Sequence, residues 1–224
     1  MVKVPVKLVS WEEIVEWTRQ LAKKIKESGY KPDVVIAIAR GGYVPARLLC
    51  DFLGIENLLS IQSQHWTEAA KKAEKAIIKF KYKVDLTGMK ALLVDDIVDT
   101  GESVILAKKY IEENWKPSEL RVAAMQWISS VAKIKPDYYT IEVKEWIWFQ
   151  YPWTRLEDLT QFIKRIINEE LKGKTKEITK QELAEKFKEW YGIDPPKDYY
   201  EEALQTLAGQ GLIQLQGDKI VINI

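Results

Sequence analysis

Apolar residues recur at helical spacing behind Ser10 and Glu13, a capping-box pattern. Ile14, Trp17, Leu21 and Ile25 share one face, and the run ends at Gly29. The stretch "PDVVIAIARGG" is almost wholly apolar and closes on glycines, as expected of a strand buried on both faces of a parallel sheet. "VPARLLCDFLG" follows as a helix with Gly54 at its C-terminal end. "NLLSIQS" and "MKALLVDD" are further strands, separated by a Lys-rich segment in which Lys72, Lys75 and Lys79 would form a solvated helix face. "ESVILAKKYIEEN" reads as a helix, and "LRVAAMQWI" and "YYTIEVKEWIWF" as strands. Strands alternating with helices of this length imply a parallel α/β sheet with crossover connections.

The texture changes after Phe162. "FIKRIINEELKGKTK" is a charged helix running into a Lys/Gly linker, and Thr179 with Glu182 opens another helix by a second capping box. "DYYEEALQTLAGQG" is a third helix, and "LIQLQGDKIVINI" two alternating strands turning at Gly217-Asp218. Helix, helix and hairpin resemble a winged-helix module, with Tyr199, Leu204, Leu207, Leu212 and Ile220 as its core. A boundary near Lys172–Lys176 gives domains 1–172 and 173–224.

Composition narrows the function. The 34 Lys and Arg almost balance the 33 Asp and Glu, so no global field recruits nucleic acid or an anionic membrane. Residues 173–224 carry 7 Lys against 9 acids, and "DYYEEALQTLAGQ" has no basic residue, which argues against a DNA-binding regulator. The lone Cys50 excludes an internal disulfide, and no apolar run approaches the roughly 18 residues of a membrane span. The expectation is a cytoplasmic protein without membrane contact.

The chemistry concentrates in "LLVDDIVDTGES", residues 92–103. Asp95 and Asp96 lie toward the C-terminal edge of a central strand, where open α/β sheets bind ligands. Two such carboxylates can accept hydrogen bonds from ribose hydroxyls, directly or through a divalent cation. Thr100, Gly101, Glu102 and Ser103 open the next helix, whose free N–H groups favour a phosphate. Asp99 beside a phosphate suggests a separate task, such as proton transfer at an incoming nucleophile. An ATPase needs a GxxxxGK[ST] loop, and the "GKT" at Gly173–Thr175 has Asn168 in place of its first glycine and follows a helix.

This stretch resembles the 5-phosphoribosyl-1-pyrophosphate (PRPP) motif of type I phosphoribosyltransferases. The resemblance implies an α/β fold of that type, a parallel sheet flanked by helices, here with the small winged-helix-like C-terminal domain. It also implies ribose-phosphate contacts from Asp95, Asp96, Val98, Asp99, Thr100, Gly101, Glu102 and Ser103. "ARGGYVPARLL" is similar to the pyrophosphate loop of the bacterial xanthine-guanine members, where the peptide between Arg40 and Gly41 would be cis and Arg40 would meet the leaving group. "WIWFQYPW" resembles a purine-reading segment, with Trp148 stacking on the base, or Trp146 if the loop is longer, and the Phe149 backbone reading its edge. Tyr151 and Trp153 read as core or dimer interface.

The 6-oxopurine members carry a lysine about ten residues before the proline of "KPD", here Lys135–Asp137. The matching window "MQWISS" offers Gln126 and Trp127 instead. A missing donor argues against a 6-oxopurine, so adenine is the expected base, giving AMP and pyrophosphate, with hypoxanthine, guanine or xanthine as the alternative and a PRPP- or purine-sensing regulator as the rival class. The resemblance further implies Mg²⁺ held mainly by PRPP with no direct protein ligand, contact via Asp95 and Asp96 being the alternative, a homodimer, and a hood over residues 62–83. In that hood His65 reads as incidental. Arg155 is a weak candidate for pyrophosphate.

Overall fold

The computed structural model describes residues 2–67 and 74–223. The chain opens with strand β1 (Val6–Leu8) and helix α1 (Trp11–Glu27), then β2 (Val34–Ala39), α2 (Tyr43–Leu53), β3 (Leu58–Thr67) and β4 (Glu74–Lys79). β5 (Lys90–Val98), α3 (Glu102–Asn114), β6 (Glu119–Ile128), β7 (Tyr138–Val143) and β8 (Trp148–Gln150) follow. The last part holds α4 (Arg155–Ile166), a π-helical turn (Ile167–Leu171), β9 (Glu177–Thr179), α5 (Lys180–Tyr191), α6 (Lys197–Gly209), β10 (Ile213–Gln216) and β11 (Lys219–Ile222). Two compact units result, one of Trp11–Trp146 and one of Met1–Ser10 with Ile147–Ile224. The boundary expected at Lys172–Lys176 falls inside the second of these.

The first unit is a six-stranded sheet in the order β4-β3-β2-β5-β6-β7. Only β4 runs antiparallel to its neighbour. All six residues of β2 are buried because both of its faces are covered. Alternate side chains serve opposite layers: Val35 and Ala37 pack with Leu21, Ile25, Ala46 and Leu49 of α1 and α2, while Ile36 and Ile38 pack with Val104, Ala107 and Ile111 of α3. The expected C-terminal end of α2 holds. Gly54 caps α2 in the left-handed region, and α1 buries Ile14, Thr18, Leu21, Ala22 and Ile25 along one stripe.

Two sequence expectations fail here. Residues 74–79 form β4 and pair with β3, so Lys75 and Lys79 belong to a strand instead of a helix face. The period-two alternation of "KFKYK" falls at 79–83, starting on the last residue of this strand, and so gave no signal for it. Lys72 and the side chains of His65 and Lys75 lie outside the described residues. The single strand expected over 138–149 is two: β7 stays in the large sheet, while β8 leaves it to pair in parallel with β1.

The second unit packs Leu159, Phe162 and Ile163 of α4 against Leu183, Phe187 and Tyr191 of α5 and Leu204 and Leu207 of α6. The Phe162 and Tyr191 rings stack with centroids 4.3 Å apart. Of the expected core, Leu204, Leu207 and Ile220 are fully buried, and Tyr199 and Leu212 pack partly buried against them. α4 starts at Arg155, ahead of the expected helix. β10, β11 and β9 form an antiparallel sheet. The second capping box is present: the Glu182 N–H donates to Thr179 Oγ1 at 3.1 Å, and the Thr179 N–H donates to Glu182 Oε2 at 2.8 Å. Thr179→Ala should therefore cost about 1 kcal/mol of stability, read from the midpoint of chemical denaturation. Among the described residues no helix is long and apolar enough to cross a membrane.

Candidate active site

Strand order places the site. From β2 the chain moves to β3 on one side, then returns to lay β5 on the other, so β2 and β5 flank a topological switch point. Beyond the C-terminal ends of these two strands lie residues 39–42 and 98–103. Ala37 pairs with Val94, which brings the two following loops together.

Their contact is close. A Cβ added to Gly41 would stand 2.3 Å from Asp96 Oδ2 and 2.6 Å from its Cγ, so the Asp96 carboxylate occupies the space a side chain at 41 would need. The cis peptide precedes Arg40, at Ala39–Arg40, one residue earlier than the Arg40–Gly41 bond expected from the sequence. Isomer state has no signature in residue type outside proline, so the shift was not readable. Arg40 is exposed at the mouth of this loop.

β5 runs past both acids to Val98 instead of ending on them. The Asp96 N–H donates to Asp95 Oδ1 at 3.0 Å and the Ile97 N–H to Asp96 Oδ1 at 2.9 Å, which folds both carboxylates back along their own strand. Asp96 is buried and Asp95 partly so. Burial pushes the Asp95 carboxyl well above the usual carboxylate range, and the neighbouring Asp96 carboxylate pushes it further. The folded protein then holds a proton that the unfolded chain releases above about pH 3.9. Stability should fall as pH rises from that value toward the raised folded one. Without ligand, Asp95→Asn should melt above wild type at pH 7 but not at pH 3; an offset independent of pH would refute the assignment.

Next comes the turn. Gly101 adopts φ +82° as the N-cap of α3, and a Cβ there would also lie 2.6 Å from Ile134 Cγ2. Asp95, Asp99, Thr100, Gly101, Glu102 and Ser103 line a cavity of about 110 Å³ at the mouth of α3. At roughly 30 Å³ per liquid water, this has room for a five-atom oxyanion. The helix N-terminus supplies N–H donors and the positive dipole end. Sequence reasoning missed the segment that closes this mouth. The Lys133 N–H donates to the Thr100 carbonyl at 2.9 Å, its ammonium meets Glu102 Oε1 at 2.6 Å, and Ile134 sits on Gly101. Two lysines at "KIKPD", Lys133 and Lys135, were the only hint.

Gln126 lies on β6 opposite Ile97 of β5, fully buried. Arg40, Gly41, Asp95, Asp96, residues 98–103 and Gln126 thus share one unit. Trp148 and Phe149 belong to the other, where Trp148 packs edge-on against Phe162 with centroids 5.3 Å apart and Phe149 is buried beside Tyr151 at 6.3 Å. Trp146 is the exposed last residue of the first unit. Arg155 donates through Nη2 to the Val9 carbonyl at 2.5 Å, within the second unit.

The phosphoribosyl transferase domain profile matches residues 7–157. The chain belongs to that family. It is a type I phosphoribosyltransferase of the purine branch. A xanthine-guanine phosphoribosyltransferase of Desulfotalea psychrophila is 30% identical over 149 residues, 65% of this chain and 84% of that protein. One from Nitratidesulfovibrio vulgaris (strain DP4) is 27% identical over 164 residues, 72% of this chain and 90% of its own length. Among solved structures, a purine phosphoribosyltransferase from Pyrococcus horikoshii superposes with a TM-score of 0.59 at 29% identity, covering 67% of this chain and 94% of that one. For a phosphoribosyltransferase of this length, the departure is the last third, which lies past the end of the profile match.

Proposed function

We propose that this phosphoribosyltransferase uses the Asp95, Asp96 and Gly41 junction, with the 98–103 turn, to hold PRPP while a purine nitrogen displaces pyrophosphate from its C1. The observation that carries this reading is the packing of Asp96 against Gly41, which supports pairing an acid for the sugar with a loop for the pyrophosphate. In it, the α3 mouth takes the 5-phosphate and the two acids take the ribose hydroxyls. Arg40 offers a permanent cation to the departing pyrophosphate. As the C1–N bond forms and the C1–O bond to pyrophosphate breaks, Asp99 accepts from the purine N–H and takes its proton. Asp95 and Asp96 are hard oxygen donors of the number Mg²⁺ usually takes from protein when substrate oxygens complete its shell. When bound there, Mg²⁺ would neutralise charge on PRPP. A homodimer completes this reading, and light scattering tests it.

For the base, the names of the curated relatives favour a 6-oxopurine, xanthine or guanine, over the adenine expected from the sequence. One observation favours adenine as a second reading. The window from Met125 to Ala132 holds no lysine to donate to O6, and the next two lysines are engaged, Lys133 on Glu102 and Lys135 with its ammonium 5.2 Å from the Trp127 ring centroid. A 6-oxo group wants a donor, and a 6-amino group an acceptor. Turnover of adenine, hypoxanthine, guanine and xanthine with PRPP discriminates them: clear preference for guanine or xanthine supports the first reading, and clear preference for adenine overturns it. Loss of all four activities would sink the enzyme assignment.

A further inference from the structure

The second unit carries a groove of about 470 Å³, formed along the start of α4 and one side of α6 and remote in sequence from every PRPP-contacting residue. We propose that it is a second nucleotide site, selective for a purine nucleoside monophosphate, and that it is separate from the transferase centre.

Its volume lies within the range of small-molecule pockets, about 300–1,000 Å³. Its lining is also of the required kinds. Trp153 and Tyr199 give flat apolar surface for a base, with the Trp153 indole fixed in place by stacking on Tyr151, centroids 4.8 Å apart and planes 5° from parallel. Gln161 carries both a donor and an acceptor for a base edge. Glu157 also lines the groove, and a carboxylate there suits the two hydroxyls of a ribose and disfavours a bare inorganic anion.

Arg155 supplies the cation, and its state is the second observation. One arm of its guanidinium is tied to the Val9 carbonyl, which fixes the fork. Its Nε is enclosed and has no hydrogen-bond acceptor among the described residues. Nε is shut off from any ligand, so a phosphate oxygen in the groove would bond the guanidinium through Nη1, which is neither enclosed nor bonded among the described residues. Arg155 is the first residue of α4, so the N–H groups of that helix's opening turn and its dipole act on the same phosphate. Phosphate at Arg155, ribose at Glu157 and base between the aromatic walls make one ligand of nucleoside monophosphate type.

The test is calorimetric titration of AMP into the full chain, with and without saturating PRPP. We expect one binding event that survives PRPP. Gln161→Trp, which fills the groove from an exposed position, should abolish that event and leave turnover without added nucleotide unchanged. Tyr199→Ala is the second variant, with folding checked by circular dichroism, and should weaken the event about tenfold or more, the loss of a stacked ring. Adenosine should bind this site at least about tenfold more weakly than AMP, as expected for a lost charge-assisted hydrogen bond. The proposal is overturned if no event survives PRPP, if the surviving event is untouched by both variants, or if adenosine binds as tightly as AMP. A surviving event that follows these expectations in a protein lacking transferase turnover would support the groove and count against the PRPP reading alone.

Discussion

Gly41→Val should leave the protein folded and lower kcat/KM for PRPP by at least about 10²-fold, the scale of a 1 Å misplacement in a reacting complex. The reason is steric and local. Even a Cβ at this position would lie 2.3 Å from one Asp96 oxygen and 2.7 Å from the other. Asp96 is itself held by the Ile97 N–H and is almost wholly enclosed, so the loop must move away. That movement would carry Arg40 away from Asp96, the acid proposed to hold the sugar. Steady-state kinetics with varied PRPP, alongside thermal melting, checks this. A variant that melts like wild type and keeps wild-type kcat/KM would remove the Gly41 and Asp96 junction from the site.

Asp99→Asn should lose turnover far more than PRPP affinity. Asparagine keeps the size of the side chain and can still accept a hydrogen bond, but it cannot take a proton. A loss of kcat of about 10²- to 10⁴-fold, with little change in PRPP binding, is expected for a general base. Asp99 lines the same small cavity as Thr100 and Ser103, so a role in gripping the phosphate would show instead as equal losses in both quantities.

Local signals in the chain were reliable where one element decides its own fate. "ESVILAKKYIEEN" is α3 residue for residue, Gly54 caps α2, and the Thr179 box closes as its spacing requires. The acids at positions 95 and 96 were legible as candidates for ligand contact because a carboxylate near the end of an apolar run has few structural reasons to be there. Pairings between distant segments were not legible. Val6–Leu8 looks like an unremarkable start with a proline in front of it, and only Trp148–Gln150 makes it a strand. For the same reason "YYTIEVKEWIWF" could not reveal that its two halves serve different sheets. The contact of Gly41 with Asp96 joins residues 55 apart in sequence, and a pair of glycines alone is equally consistent with an ordinary turn.

That β1 and β8 pairing bears on how the protein is made. Val6 meets Trp148, so the first strand leaves the ribosome about 140 residues ahead of its partner. At about 5–20 residues per second, the interval is on the order of ten seconds. Trp11–Trp146 is an uninterrupted stretch and can close its sheet during that interval. Residues 1–10 must wait until the remainder of their unit emerges, so synthesis itself orders the two folding events.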